Sequence, residues 1–274
     1  MVIDFHTHIF PEKIAARAVA QLASAGNLPP HYDGTEAALI SKMQATEIDV
    51  SITLPVLTAP RQFESVLEFC EGVNRRYAAA DGARLISFAG IHPACENLGE
   101  KMRLIYERGF HGVKIHPDFQ DTFINDDSYA EILKYAEEYD LAVVTHAGID
   151  ASYRQREPRC SPDRVIDLIS RAPHTKFVLA HYGGNEMTDE VFDKLCGLDI
   201  YFDTGLVLDY IDEKSFKKIL DKHGEDRVLF ATDGPWGDAE KYLKTLRALG
   251  LSRVAEEKIL HENAERLINL QVKK

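Results

Sequence analysis

Short β-branched or apolar runs recur along this 274-residue chain, with charged, helix-favouring stretches between them. That rhythm constrains the fold more than any other feature. The runs fall at residues 1–9, 50–56, 85–91, 112–116, 141–146, 177–181, 200–205 and 228–233. Helices are expected at 62–80, 98–108, 129–139, 162–172, 188–195, 213–223, 241–249 and 256–270. Strict alternation of strand and helix implies parallel pairing with right-handed crossovers. Eight such units over this length predict a closed (β/α)8 TIM barrel rather than an open sheet. No linker or low-complexity stretch interrupts the pattern, so one catalytic domain over residues 1–274 is expected. Two segments, 24–36 and 147–161, exceed an ordinary connection. Long loops on the C-terminal side of barrel strands shape the substrate pocket.

Charge narrows the partners. Lys and Arg total 32 against 44 Asp and Glu, a formal net charge of −12. Sequence-independent nucleic-acid binding needs basic patches, and anionic membrane surfaces attract basic segments. The expected partner is therefore a small-molecule substrate, not nucleic acid or membrane. Four cysteines, at 70, 95, 160 and 196, are too few and too scattered for a disulfide framework. The first residues carry no basic, then apolar, leader pattern, and no apolar run reaches the ~20 residues of a membrane span. A cytoplasmic protein is expected.

Six of the eleven histidines, namely His6, His8, His92, His116, His146 and His181, stand at or just beyond the C-terminal ends of expected strands, and Asp233 ends the eighth. In a barrel those ends converge on one mouth. On a strand, residues two apart share a face, so His6 and His8 can both turn into the mouth and grip one metal ion. Asp233 closes a buried run, Leu229-Phe230-Ala231-Thr232. A carboxylate there must be paired or ligated, because an isolated buried charge is very costly. It can be a ligand and proton shuttle, or a helix cap or salt-bridge partner. His146 and His181 each follow an apolar strand and precede small residues, which suits a site as well as a buried imidazole satisfied by a backbone carbonyl. Glycines after them permit close approach of backbone or ligand.

Several segments together resemble the amidohydrolase-related branch of the amidohydrolase superfamily, which includes aminocarboxymuconate-semialdehyde decarboxylase-like enzymes. They are Asp4-Phe5-His6-Thr7-His8-Ile9-Phe10-Pro11, Gly112-Val113-Lys114-Ile115-His116-Pro117, Ala180-His181-Tyr182-Gly183-Gly184 and Thr232-Asp233-Gly234-Pro235. The ending His261-Glu262-Asn263-Ala264-Glu265-Arg266-Leu267 is also similar to that family's final helix. The resemblance spans essentially the whole chain. It implies that His6, His8, His146 and Asp233 hold one divalent metal, usually zinc, although manganese, iron or cobalt also suit such ligands. It implies that His181 contacts the metal-bound water or the substrate, or a second metal in binuclear relatives, and that Asp233 doubles as general base. Dimers are common among such enzymes, so a homodimer is compatible with the resemblance.

Around that centre, Lys114 is read as a free ammonium that binds a substrate carboxylate or pairs with Asp4, rather than as the metal-bridging carbamate of binuclear relatives. His116 is placed in the pocket wall. His92 is divided between the pocket and turn structure. Tyr153, Arg154, Arg156 and Arg159 follow the fifth strand; an arginine fork such as Arg154 can hold a substrate carboxylate, although charges on a solvated loop are the commoner reading of such residues. Trp236, just after Asp233, either lines the pocket as a substrate-binding residue or packs on its rim. Cys95 and Cys160 are read as unreactive.

The expected activity is metal-dependent hydrolysis of a small, carboxylated substrate by a metal-activated water. The alternatives are nonoxidative decarboxylation or hydration of an unsaturated or aromatic acid, which the same donors serve. A noncatalytic metal-binding barrel and a phosphoesterase barrel fit less well, the latter because of the acidic balance and Lys114.

Overall fold

The computed structural model describes residues 1–80 and 82–270. Its strands are β1 (Ile3–Thr7), β2 (Val50–Thr53), β3 (Arg84–Ser87), β4 (Ala89–Gly90), β5 (Gly112–Ile115), β6 (Ala142–Thr145), β7 (Lys176–Leu179), β8 (Tyr201–Asp203) and β9 (Val228–Leu229). All pairings are parallel, β1 to β3 in sequence and β4 to β9 in sequence. β3 and β4 are one expected strand interrupted at Phe88. The Phe88 amide still donates to the Thr53 carbonyl, at 3.0 Å, which carries the ladder across the break. At the other seam the Phe5 amide donates to Phe230 O at 2.9 Å, Asp233 N to His6 O at 2.8 Å and His8 N to Gly234 O at 2.6 Å. These bonds close the eight-unit ring as a TIM barrel.

The helices are α1 (Glu12–Gly26), α2 (Glu36–Ala45), α3 (Phe63–Tyr77), α4 (Leu98–Glu107), α5 (Asp127–Glu138), α6 (Pro162–Arg171), α7 (Thr188–Lys194), α8 (Glu213–His223), α9 (Ala239–Ala248), α10 (Arg253–Glu257) and α11 (Asn263–Leu267), with a π turn at Lys258–Glu262 between the last two. Several begin at the caps their sequences prescribe: Thr35, Asp126, Asp212, Asp238 and Ser252 each accept a backbone N–H of the first turn. Their apolar stripes pack on the outer faces of the strands. An inner cluster drawn mainly from the strands, including Ile3, Phe5, Ile52, Phe88, Val144, Val178 and Leu229, fills the barrel, joined by Ala264, Leu267 and Ile268 of the chain's end. Phe5 meets Phe88 edge-on there, with ring centroids 5.9 Å apart.

The expected strands are longer than the observed ones, chiefly because their last residues leave the ladder to enter the mouth. His116, His146, His181 and Asp233 all lie just past a strand. His181 and Asp233 do so at a φ of 59°, in the left-handed region that non-glycine residues rarely occupy and that clusters at functional sites. The first strand carries its own irregularity. Between Asp4 and Thr7 its register against β2 slips by one residue, a bulge of the kind that re-aims side chains beside active sites. Phe5 can thereby join the inner cluster while His6 and His8 turn toward the mouth.

Candidate metal centre and substrate cavity

Three atoms converge at the junction of β1 with the segment after β9. His6 Nε2 and His8 Nε2 are 3.1 Å apart, and Asp233 Oδ1 lies 3.1 Å from the first and 3.0 Å from the second. The other ring nitrogens fix the tautomers. His6 Nδ1 is 2.8 Å from Asp203 Oδ2, and His8 Nδ1 is 2.8 Å from the Leu54 carbonyl. Both partners accept, so both Nδ1 atoms carry the proton and both Nε2 atoms present lone pairs. Burial, then the nearby Lys114 charge, pushes the His6 pKa well below the usual histidine range and keeps that ring neutral.

Two imidazole lone pairs and a carboxylate oxygen therefore face one another with no proton of their own to share. The Lys114 ammonium, 3.2 Å from His6 Nε2, can answer one of these lone pairs, and a divalent ion at the centre would answer all three. At metal–ligand bonds of about 2.1 Å, donors held near a right angle lie about 3.0 Å apart, which matches this triangle. The residues fit a divalent ion.

Two carboxylates outside the triangle hold it in place. Asp203 is completely buried and takes three donors: His6 Nδ1, the His181 amide at 3.0 Å and the Gly205 amide at 2.9 Å. Asp4 takes the Thr232 amide at 2.9 Å and the Thr232 hydroxyl at 2.6 Å, which fixes the turn that carries Asp233. Burial pushes the Asp4 carboxyl up to about 7 against those hydrogen bonds. The sequence reading did not name Asp203, and named Asp4 only as an alternative partner for Lys114. The cost of a buried charge, which singled out Asp233, applied equally to Asp203 in Tyr201-Phe202-Asp203-Thr204-Gly205 and could have found it.

The other expected residues divide. His181 Nδ1 donates to the Gly205 carbonyl at 2.9 Å, which leaves its Nε2 to accept from His146 Nδ1, also at 2.9 Å. The His146 Nε2 lone pair is buried and has no partner among the described residues. The structure groups His146 with His116 and Asp150, not with the triangle. The His116 and His146 rings stack at 4.5 Å, and Asp150 Oδ2 lies 3.5 Å from His116 Nε2. Lys114 is fully buried, its Nζ 3.2 Å from His6 Nε2, and burial lowers its pKa to about 8. Its expected pairing with Asp4 is not formed, because Asp4 is taken by Thr232.

Arg154, expected on the substrate, forks instead onto Glu186 at 2.5 and 2.6 Å and does not line the cavity. Arg159 and Arg156 lie against Asp121. His92 accepts the Ala94 amide within its own turn, also outside the cavity lining. Cys160 is buried, and burial raises its thiol pKa, as it does for Cys95.

The triangle opens into a cavity of about 580 Å³. Lys114, His116, His146, Asp150, His181 and Trp236 line it near the donors, with Leu54, Pro55, Val56, Phe119 and Leu206 as apolar wall. The 147–161 loop shapes it as expected, through Asp150, Ala151 and Ser152. Gly148 makes that possible. Its φ is 81°, and a Cβ there would meet the Asn185 amide nitrogen at 2.2 Å, so the two loops touch backbone to backbone. The 24–36 segment contributes less, since α1 runs to Gly26 and only Gly26 and Leu28 of it reach the cavity. What sequence reasoning missed is a second wall from α1 and α3.

Two lone-pair imidazoles and a carboxylate at the C-terminal mouth of a parallel barrel form a candidate divalent-metal site of the barrel metalloenzyme type. The family model described as amidohydrolase matches residues 3–270, so the chain belongs to the amidohydrolase family and is an enzyme of that family. No curated protein matches the chain significantly. Among solved structures it is similar to a TIM-barrel protein from Bordetella bronchiseptica, at 18% identity, 98% of each chain covered and a TM-score of 0.74. It is also similar to 2,6-dihydroxybenzoate decarboxylase from Rhizobium (15% identity, 98% of each chain, TM-score 0.71). A third is dihydroxybenzoic acid decarboxylase from Polaromonas, solved with manganese and the inhibitor 2-nitroresorcinol (14% identity, 99% of this chain and 98% of that one, TM-score 0.72). At these identities the likeness is one of fold. No helix among the described residues is long and apolar enough to cross a membrane.

Proposed function

We propose that this enzyme is a metal-dependent, nonoxidative decarboxylase of a hydroxylated aromatic or similarly unsaturated acid. The observation that carries the proposal is the setting of the donor triangle, at the end of a cavity walled by Leu54, Pro55, Val56, Phe119, Leu206 and Trp236. A carboxylate leaving as carbon dioxide gives up its charge, and a wall that withholds water favours that step over the retention of a hydrated anion. The names of the Rhizobium and Polaromonas neighbours support the same reading, and manganese in the latter makes it a candidate ion alongside zinc.

A divalent ion, when bound, would supply positive charge to the substrate's carboxylate, and His6, His8 and Asp233 are the residues that would hold it. His146 Nε2, unpartnered in the same cavity, is the free donor left for the ion or the substrate. The Lys114 ammonium beside His6 balances substrate negative charge, and His116 and His146 line the cavity beside it. The carbon–carboxylate bond breaks, its electron pair stays on carbon, and a proton takes the place of carbon dioxide. Asp233 is the carboxyl group placed to carry that proton, with His181 held in one tautomer beside it. No oxidant or reductant is needed.

The test is turnover of metal-loaded enzyme with ortho-hydroxylated benzoic acids and unsaturated acids in deuterium oxide and in oxygen-18 water. Carbon dioxide release with one deuterium on the product carbon supports decarboxylation. Oxygen-18 in the product of an ester, amide or lactone, with no carbon dioxide from any acid, overturns it for hydrolysis.

A further inference from the structure

The cavity extends well past the donor triangle, and its far wall comes from outside the barrel strands. From α1, the side chains of Ile14, Arg17, Ala18, Gln21 and Leu22 line it; from α3 and its approach come Gln62, Ser65, Val66 and Phe69. The spacing on α1 is a single helical stripe, i, i+3, i+4, i+7 and i+8. The adjacent stripe, Ala15 and Val19, is what packs into the protein. Ile14, Leu22, Val66 and Phe69 are thus apolar side chains left partly uncovered, Ile14 at 40% exposure, on a surface continuous with the metal centre. A concave wall of mainly apolar side chains with a few polar ones, continuous with a site, is the usual setting for binding part of a ligand. A one-ring acid seated at the triangle fills only a minor part of about 580 Å³.

We infer that this outer arm, between α1 and α3, is a specificity site for an apolar tail on the substrate: the natural substrate is an acid whose metal-facing headgroup carries an alkyl or aryl extension. The inference rests on the proposed headgroup chemistry only for which end enters first. Its occupant is the substrate's own tail because the arm and the donor triangle form one cavity. The stripe's exposed polar members, Arg17 and Gln21, leave room at the arm for a polar tail end.

The test is binding rather than turnover. Affinities of metal-loaded enzyme are measured by calorimetry for a series of 2-hydroxybenzoates with alkyl chains of increasing length. Each methylene buried in the arm is expected to tighten binding about fourfold. In Ala18→Trp, which fills the arm from α1, and independently in Val66→Trp, which fills it from the α3 side, that gain per methylene should vanish. A flat series in the wild type, or an unchanged slope in both variants, overturns the inference. So does concentration-dependent dimerisation abolished by the same variants, which would make the arm an interface between copies. Steep tail dependence without carbon dioxide release would sink the decarboxylase reading and leave the arm standing.

Discussion

Replacing Asp203 by asparagine tests whether the donor triangle depends on the carboxylate behind it. Asp203 accepts three hydrogen bonds, and an amide has one oxygen with which to accept them. The two backbone donors, His181 N at 3.0 Å and Gly205 N at 2.9 Å, are fixed by the chain and claim that oxygen. The amide nitrogen then faces His6 Nδ1, donor against donor. Either His6 keeps its tautomer with an unsatisfied buried N–H, or it shifts the proton to Nε2 and turns an N–H into the metal position. Leaving one buried donor unsatisfied costs about 1–3 kcal/mol. Removing a partner behind a metal-bound histidine typically costs about 10–100-fold in affinity, which is the same range at about 1.4 kcal/mol per tenfold. Asp203→Asn should therefore weaken zinc or manganese binding by about 10–100-fold in competition with a chromophoric chelator, at a pH where the protein stays folded. Affinity within twofold of wild type would refute the idea that Asp203 sets the His6 tautomer.

Three further outcomes are expected. His223 is buried against the Phe202 ring at 3.8 Å, and burial, then the Arg227 charge, lowers its pKa to about 4. A depressed pKa means that its contribution is fully present above pH 6.5 and is lost as pH falls from 6.5 through 4, by at most about 3 kcal/mol. His223→Leu should flatten that part of the acid-stability curve, read from urea midpoints; an unchanged slope would count against the assignment. Gly148→Ala should destabilise the protein by about 1–3 kcal/mol and raise KM, because its Cβ cannot coexist with the Asn185 backbone at 2.2 Å; thermal denaturation and kinetics check both. Asp233→Asn should retain weakened metal binding while lowering kcat by at least about a hundredfold, and near-normal turnover would remove Asp233 from the proton path.

The barrel and much of its mouth were legible in the sequence because both rest on local patterns. β-branched runs placed all eight strand units, and polar residues at their ends marked the centre. The H-x-H spacing found His6 and His8, although the bulge in β1, not ideal alternation, aims them. Strand ends were misjudged where a site residue departs from the ladder, as His181 and Asp233 do at positive φ. Arg154 misled because a fork suited to a substrate carboxylate suits Glu186 equally, and only the fold shows which is near. Asp203 and Asp4 act through His6 and Thr232, pairings up to 228 residues apart in the chain, so their roles follow from topology. The α1 stripe mixes Ile14, Ala18 and Leu22 with Arg17 and Gln21, so in the sequence it reads as an ordinary helix flank. Its place over the cavity is set by tertiary packing alone.

The most direct measurement is metal content by elemental analysis of purified wild type and His6→Ala after equilibration with zinc or manganese. The account predicts near one divalent ion per wild-type chain, lost with activity in the variant. Full occupancy in His6→Ala, or a wild type that takes up no ion, would contradict a metal centre built on His6, His8 and Asp233.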